Sequence, residues 1–403
     1  MANAIVITGY GIVSSIGLNA DEMLNSLLIG HSGIGEITQF ETIHKGKLPL
    51  AEVKRSNKEL VQLCGLPGKT EFTRTALLGI AAARQAVEMA GFKPGETLRT
   101  GLISANTVGG MDRSEIFYPL FLENPSKGKL RNVVRHDCGE STEAIAEYLG
   151  ISDFVTTIST ACSSSANSLM LGAEMIKAGM LDRVIAGGTD AVTRFTLNGF
   201  NTLMILDKEG CRPFDENRQG LTIGEGAAFL VLEAEEQALK QGKPIYGVLS
   251  GYGNANDAYH QTASSPDGTG ATLAMGKALA MSELLPSHIS YINVHGTGTA
   301  NNDLSEGFAV QKIFGEKVPP FSSTKAFTGH TLGAAGAIEA VISLLSINQD
   351  CIFPNLRWAT PMKELHMRPV TSLLKGAGVE HVVSNSFGFG GNNSSLVFSK
   401  HNP

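Results

Sequence analysis

Cys162 stands in Val155-Thr-Thr-Ile-Ser-Thr-Ala-Cys162-Ser-Ser-Ser-Ala, which reads as a strand, a sharp turn and a helix beginning at the cysteine. A thiol there faces unpaired N–H groups and the positive end of a helix dipole, which predicts a lowered pKa and a nucleophile. Two histidines share comparable settings. His295 ends the apolar run Ile289-Ser-Tyr-Ile-Asn-Val-His295-Gly-Thr-Gly-Thr299, and His330 heads a small-residue helix after Ser322-Ser-Thr-Lys325-Ala-Phe-Thr-Gly329. Histidines at a strand end and a helix start converge on one face of an α/β layer, where open-sheet ligands bind. Asn385-Ser-Phe-Gly-Phe389-Gly-Gly-Asn-Asn393 adds a glycine-rich turn between two apolar runs. With glycines on both sides, the Phe389 N–H can turn toward a ligand oxygen and complete an oxyanion hole with the Cys162 N–H. By itself this segment is only a hairpin turn, and it fits no dinucleotide-binding fingerprint. The remaining cysteines (Cys64, Cys138, Cys211, Cys351) and histidines (His31, His44, His136, His260, His288, His366, His381, His401) lack such settings and read as structural.

The elements needed to position these groups are legible as alternating strands and helices, which predicts α/β layers. Ala4-Ile-Val-Ile-Thr-Gly-Tyr-Gly-Ile-Val-Ser14 opens the chain, and Ile245-Tyr-Gly-Val-Leu-Ser-Gly-Tyr-Gly-Asn254 opens a second series of the same plan. In each series a helix (75–90; 272–284), a strand (100–105; 289–295) and a glycine- and alanine-rich helix (163–178; 331–343) follow. The expectation is a duplication, residues 1–243 carrying the cysteine and 244–403 carrying both histidines, Lys325 and the Phe389 turn. The two small-residue helices are apolar all round, so they are expected between sheets. Gly333 and Gly336 in the second call for close helix–helix contact to offset their cost.

Composition narrows the class. Of 403 residues only 17% are charged, below the usual ~25%, and glycine is 46, about 11% against ~7%. The net charge of −6 and the absence of a Lys/Arg run argue against nucleic-acid binding. The first basic residue is Lys45, so no signal or transit peptide is expected. Residues 154–173 carry no charge but nine Ser, Thr or Asn, too polar for lipid, so they read as the buried centre of a soluble protein. Five scattered cysteines without a CxxC pair predict a reducing cytoplasm, no disulfide framework and no zinc site, and neither a metal nor a cofactor is expected.

Taken together, Thr160-Ala-Cys162-Ser-Ser, His295-Gly-Thr-Gly-Thr299, Lys325 with Gly329-His330, and Gly388-Phe389-Gly-Gly resemble the β-ketoacyl-acyl-carrier-protein synthases of the type I/II class. Arg212-Pro-Phe-Asp215 and Gly224-Glu-Gly-Ala-Ala228 extend the likeness over the whole chain. The resemblance implies the thiolase fold, five αβαβα layers from two duplicated halves, usually as a homodimer. It implies decarboxylative Claisen condensation: Cys162 takes an acyl group from acyl-carrier protein, and malonyl-carrier protein supplies the second unit. His295 and His330 would promote loss of CO₂, Lys325 would hold the electrostatics, and Phe389 would serve as oxyanion donor and gate. Val108, in Thr107-Val108-Gly109-Gly110, would limit the acyl chain, with Thr297 and Thr299 on the substrate side. Glu339 would pair with His330, and Asp303 and Glu306 would be structural. An acidic carrier protein calls for basic residues, for which Lys127, Lys129 and Arg131, then Lys69, Arg74 and Lys208, are the candidates.

Cys162-Ser-Ser-Ser and His295-Gly-Thr-Gly-Thr299 look more polyketide-like than the housekeeping pattern, and Ala300-Asn-Asn-Asp303 departs from the Gly-Asp more usual in elongation enzymes, so fatty acid, polyketide and polyene pathways stay open. A chain-length-factor-like subunit without catalysis would lack Cys162, although a heterodimer with such a factor fits as well as a homodimer. A thiolase acting on coenzyme A esters would need a second cysteine between Ser384 and Ser395, where there is none. A starter-type synthase would carry asparagine where His330 stands.

Overall fold

The computed structural model describes residues 4–66, 68, 72–92 and 97–402. Its twelve strands are, in chain order, β1 (Ile5–Ser14), β2 (Thr100–Ala105), β3 (Phe154–Ile158), β4 (Arg183–Asp190), β5 (Gly226–Ala234), β6 (Gly247–Asn256), β7 (Tyr291–Asn293), β8 (Phe321–Ser322), β9 (Cys351–Ile352), β10 (Leu374–Lys375), β11 (His381–Phe387) and β12 (Asn392–Ser399). Ten of them follow one another in the order β3-β2-β4-β5-β1-β6-β12-β11-β7-β8, with β9 and β10 apart as a small ribbon. The joint between β1 and β6 is only two residue pairs, Val6 with Val248 and Ile7 with Gly247.

On either side of that joint lie five strands of the same plan. From β1 outward the neighbours β5 and β4 pair antiparallel, then β2 and β3 pair parallel. From β6 outward β12 and β11 pair antiparallel, then β7 and β8 parallel. Residues alternate sides as strand geometry requires. In β5, Ala228, Leu230 and Leu232 face the core shared by both sheets, whereas Ala227, Phe229 and Val231 face an outer core. Among the described residues the apolar cores include a central one around the helices Ser164–Lys177 and Ala335–Gln349, one beneath Arg74–Met89, one beneath Thr269–Ser282 and Ala300–Phe314, and a smaller one that holds Val108, Leu197 and Leu332. Helix, sheet, helix, sheet, helix is the thiolase-type αβαβα arrangement.

The repeated Gly-Tyr-Gly has a packing cause. A Cβ on Gly9 or Gly11 of β1 would lie 2.5 Å from the Ala86 carbonyl oxygen or 2.1 Å from that of Ala82. On Gly251 or Gly253 of β6 it would lie 2.2 Å from the Ala278 oxygen or 2.4 Å from that of Ala274. In each half the outer helix thus rests backbone-on-backbone against a strand, an approach only glycine admits. The inner helices meet equally closely, since a Cβ on Gly336 would sit 2.8 Å from the Ala166 nitrogen. Of the stretch Leu332–Gln349, the one candidate membrane span among the described residues by length and hydropathy, 89% is buried inside the fold. It is the core helix.

Two sequence expectations shift at this level. The helix expected to begin at Cys162 begins at Ser164, because Ala161 adopts a left-handed turn (φ 54°) and the Ser164 hydroxyl accepts from the Thr160 N–H. The helix expected from Thr331 begins at Ala335, after a 3₁₀ turn over Leu332–Ala334 in which Leu332 is also left-handed (φ 53°).

Candidate active site

Those two left-handed residues flank the chemistry. Alanine and leucine in this region are strained by roughly 1–3 kcal/mol, tolerated where the surroundings over-determine them. One turn lifts Cys162 off the end of β3, and the other follows His330, whose backbone is clamped by bonds to Thr222 and Gly224. The His330 Nε2 and Cys162 Sγ are 3.1 Å apart. The Leu332 N–H donates to His330 Nδ1 at 3.3 Å, so the neutral ring carries its proton on Nε2 and donates to the sulfur. The His295 and His330 rings stand edge to face with centroids 5.3 Å apart. Lys325 Nζ donates to His295 Nδ1 at 3.2 Å, which leaves the His295 proton on Nε2 as well.

The surroundings fix these groups by hydrogen bonds to buried carboxylates. Glu306 accepts the N–H groups of His295 and Gly296, both at 2.8 Å, and the Asn385 amide at 3.0 Å. Asp303 accepts the Phe214 and Gly298 N–H groups. Both acids therefore hold the His295-Gly-Thr-Gly turn through its backbone. Glu339 pairs with Lys325, not with His330 as the sequence suggested. The reason is geometric: the His330 nitrogens already face Cys162 and Leu332, while Lys325, held at the start of the short helix Lys325–Thr328, reaches the carboxylate.

Electrostatics follow from burial. Desolvation holds both imidazoles well below the ordinary histidine range, reinforced by Lys325, so they are neutral donors at physiological pH. Burial also pushes the Glu339 carboxyl up to about 7, with the Lys325 ammonium pulling it back down. The lowered thiol pKa expected from a helix terminus does not materialise. Burial pushes Cys162 up to about 11, against the opposing pull of Lys325 and of hydrogen bonds from the Phe389 and Cys162 N–H groups. The helix begins two residues later, and the sulfur lies out of water, so desolvation outweighs the dipole.

Those two N–H groups are the pair that the sequence offered as oxyanion donors, and both are directed at the sulfur. Gly390 and Gly391 (φ 79° and 77°) form the turn after Phe389, and Gly388 approaches so closely that a Cβ would lie 3.1 Å from the Cys162 nitrogen. Cys162, Phe200 and Phe389 divide two cavities. One, of about 410 Å³, is walled by Val108, Met111, Phe195, Leu203 and Leu332, with Thr107 and Thr196 its polar side chains. The other, of about 220 Å³, is more polar and lined by His295, His330, Thr297 and Thr299 with Thr262, Asn301 and Asn302. The thiol and one nitrogen of each histidine lie within 4.8 Å of one another, a spacing that a metal ion could also use. The Nε2 proton on His330 and two amide donors facing the sulfur favour a nucleophile that develops negative charge. Such a site can accept an acyl group on sulfur, hold its tail in the apolar cavity and admit a second carbonyl compound beside the histidines.

The comparisons with known proteins agree along the whole length. The family model for the β-ketoacyl synthase N-terminal domain matches residues 2–238, and that for the C-terminal domain matches 246–358. The chain belongs to the β-ketoacyl synthase family. It is 35% identical over 408 residues to the 3-oxoacyl-[acyl-carrier-protein] synthase 2 of Staphylococcus aureus strain COL, covering 98% of both chains. It is 34% identical to the Coxiella burnetii protein of that name, again over 98% of both. Among solved structures, the ishigamide ketosynthase/chain length factor superposes with a TM-score of 0.92 at 30% identity, over 100% of both chains. The ketosynthase ApeO, solved in complex with its chain length factor ApeC from Xenorhabdus doucetiae, gives 0.83 at 31% identity, over 99% of this chain and 98% of that one.

The basic residues fare unevenly in this family member. Lys127, Lys129, Arg131 and Lys208 are exposed, and Lys127 pairs with Glu123. Arg74 is withdrawn from solvent: its guanidinium binds both oxygens of Glu225 and the carbonyls of Val53 and Arg55, so it braces the fold and offers nothing to a partner. Lys69 lies outside the described residues. Sequence reasoning missed Asp190, whose carboxylate accepts the N–H groups of Thr107, Val108 and Gly333 and thus ties the loop lining the 410 Å³ cavity to the turn after His330. Its only sequence signal is a lone acid ending an apolar strand. Phe200, stacked on Phe389 with centroids 6.0 Å apart, was missed for want of any motif.

Proposed function

We propose that this chain catalyses decarboxylative Claisen condensation at Cys162, as a 3-oxoacyl-acyl-carrier-protein synthase. The observation that carries the reading is a buried thiol facing His330 Nε2 and two backbone N–H groups, at the wall between an apolar and a polar cavity. The thiol attacks the thioester of acyl-carrier protein, the S–C bond forms, and the carrier thiol leaves with the displaced proton. The acyl tail lies in the 410 Å³ cavity, whose depth Val108 limits. The Cys162 and Phe389 N–H groups take the negative charge of the tetrahedral intermediate, where preorganised donors are most effective. Malonyl-carrier protein then enters on the side of Thr297 and Thr299. The Nε2–H groups of His295 and His330 donate to its thioester oxygen, so the electrons released with CO₂ are held as an enolate. That carbon attacks the acyl-cysteine, the new C–C bond forms, and Cys162 leaves as thiolate and regains a proton. Lys325, paired with Glu339, keeps His295 in the donor tautomer.

The two halves, 1–243 and 244–403, would each supply part of this site. Acyl-carrier protein is the partner, met by Lys127, Lys129, Arg131 and Lys208, in the cytoplasm. The chain works as a homodimer or beside a chain length factor. The helix Met111–Glu123 and its continuation support a protein partner there, with Leu122 64%, Leu130 74% and Val134 74% exposed and no residue of the helix buried. Incubation with radiolabelled acyl-carrier protein tests the reading: label is expected on Cys162, and malonyl-carrier protein then converts it to a 3-oxoacyl product. No transfer to the wild type, or transfer that survives Cys162→Ala, refutes it.

A further inference from the structure

The two N–H groups facing the Cys162 sulfur come from distant parts of the chain, one on the turn after β3 and the other on the turn between β11 and β12. Asn392 bridges them. Its backbone carbonyl accepts the Gly388 N–H at 2.9 Å and closes the turn that carries Phe389. Its side-chain Oδ1 accepts from Ser163 Oγ at 2.7 Å, Asn254 Nδ2 at 2.9 Å and Asn167 Nδ2 at 3.0 Å. Ser163 directly follows the nucleophile. Asn167 sits one turn along the helix behind it and also donates to Thr160 Oγ1 at 2.8 Å. One residue is therefore bound by its main chain to the Phe389 turn and by its side chain to the Cys162 turn. The Ser163 proton is shared with the Thr160 carbonyl at 2.8 Å, and the two amide donors by themselves match the two lone pairs of the Asn392 oxygen, so this acceptor is fully used.

We propose that Asn392 is a positioning residue that sets the spacing of the two oxyanion donors. The inference rests on the condensing-enzyme reading above. Asn392 acts through Ser163 and the Phe389 turn, and it is not itself a group that meets substrate. Because misplaced donors weaken the transition state more than the bound substrate, its loss should appear in kcat and leave KM nearly unchanged.

Acyl transfer from acyl-carrier protein to Cys162, measured with the full chain for the wild type, Asn392→Leu, Asn392→Asp and Ser163→Ala, tests this. Leucine keeps the bulk and accepts nothing, whereas aspartate keeps the acceptor. Expected are a kcat loss of about 10- to 100-fold for Asn392→Leu with KM within about twofold, recovery to within about fivefold for Asn392→Asp, and a loss of about threefold for Ser163→Ala. Wild-type kcat in a folded Asn392→Leu, a defect confined to KM, or an aspartate variant as impaired as the leucine one would overturn the assignment. Should Asn392→Leu not fold, Ser163→Ala combined with Asn167→Ala removes both side-chain contacts from the Cys162 turn to Asn392, and unchanged kcat there contradicts the bridge. A wild type that transfers no acyl group refutes the condensing reading itself, an outcome distinct from any pattern among active variants.

Discussion

The thiol of Cys162 is expected to be a poor nucleophile toward small alkylating agents at neutral pH. Burial pushes it up to about 11 from an ordinary 9.0. Two pH units correspond to about 2.7 kcal/mol and to roughly 100-fold less thiolate than an exposed cysteine carries. Since the thiolate is the reacting form, the alkylation rate should climb about tenfold per pH unit from 7 towards 10. His330 sharpens the test. Its Nε2–H donates to the sulfur at 3.1 Å, and hydrogen bonds to a charged group are worth about 1.5–3 kcal/mol. Replacing it by alanine removes a donor that favours the thiolate and should slow alkylation at pH 8 by about 10- to 100-fold. Timed iodoacetamide labelling between pH 6 and 10, quenched and read by mass spectrometry of the Cys162 peptide, measures both, with buried Cys64, Cys211 and Cys351 as internal references. A wild-type rate that levels off below pH 8 would mean that the helix terminus, and not burial, governs this sulfur. Faster labelling of His330→Ala would show that the imidazole is not a donor to it.

Further outcomes follow from the same contacts. Gly388→Ala places a Cβ 3.1 Å from both the Cys162 nitrogen and the Thr160 oxygen, which displaces the Phe389 turn; acyl transfer should fall by about 10- to 100-fold in kcat, and an unchanged rate would remove Phe389 from the oxyanion site. Val108→Phe fills part of the 410 Å³ cavity, so the longest acyl chain accepted should shorten in a panel of carrier-protein thioesters, with short chains still transferred. Lys325→Met strands Glu339 and should cost about 3–5 kcal/mol in urea denaturation at pH 8, much of it restored in the double variant with Glu339→Leu. Burial raises the folded-state pKa of Glu339 above its unfolded value, so the stability linked to its protonation is present at low pH and lost as pH rises through about 7. The deficit of Lys325→Met should therefore shrink from pH 8 to pH 6, and a deficit that grows would contradict the assignment.

Much of the fold was legible because its causes are local. Gly9-Tyr10-Gly11 and Gly251-Tyr252-Gly253 record the two places where a helix backbone rests on a strand. Gly336 likewise records the contact between inner helices. Cys162, His295, His330 and the Phe389 turn were singled out because each sits where a strand meets a turn or, for His330, ahead of a helix, and residue type with local pattern signals that. The pairing of Glu339 with Lys325 was not, because it depends on which of two neighbouring bases has a spare nitrogen. Neither was Arg74, whose charge suggested a surface until Glu225, 151 residues away, was found against it. The three donors to Asn392 likewise come from positions 229, 225 and 138 residues distant.

The sequence by itself determined the layers and their duplication and singled out the groups proposed to do chemistry, since backbone propensity, side-chain period and glycine placement act over a few residues. Only the tertiary structure decided the protonation of those groups. Thiol, imidazole and carboxyl pKa values answer to desolvation and to charges brought together from both halves. The direction of the Cys162 shift is the clearest case: the local helix signal pointed down, and burial by the assembled fold carried it up.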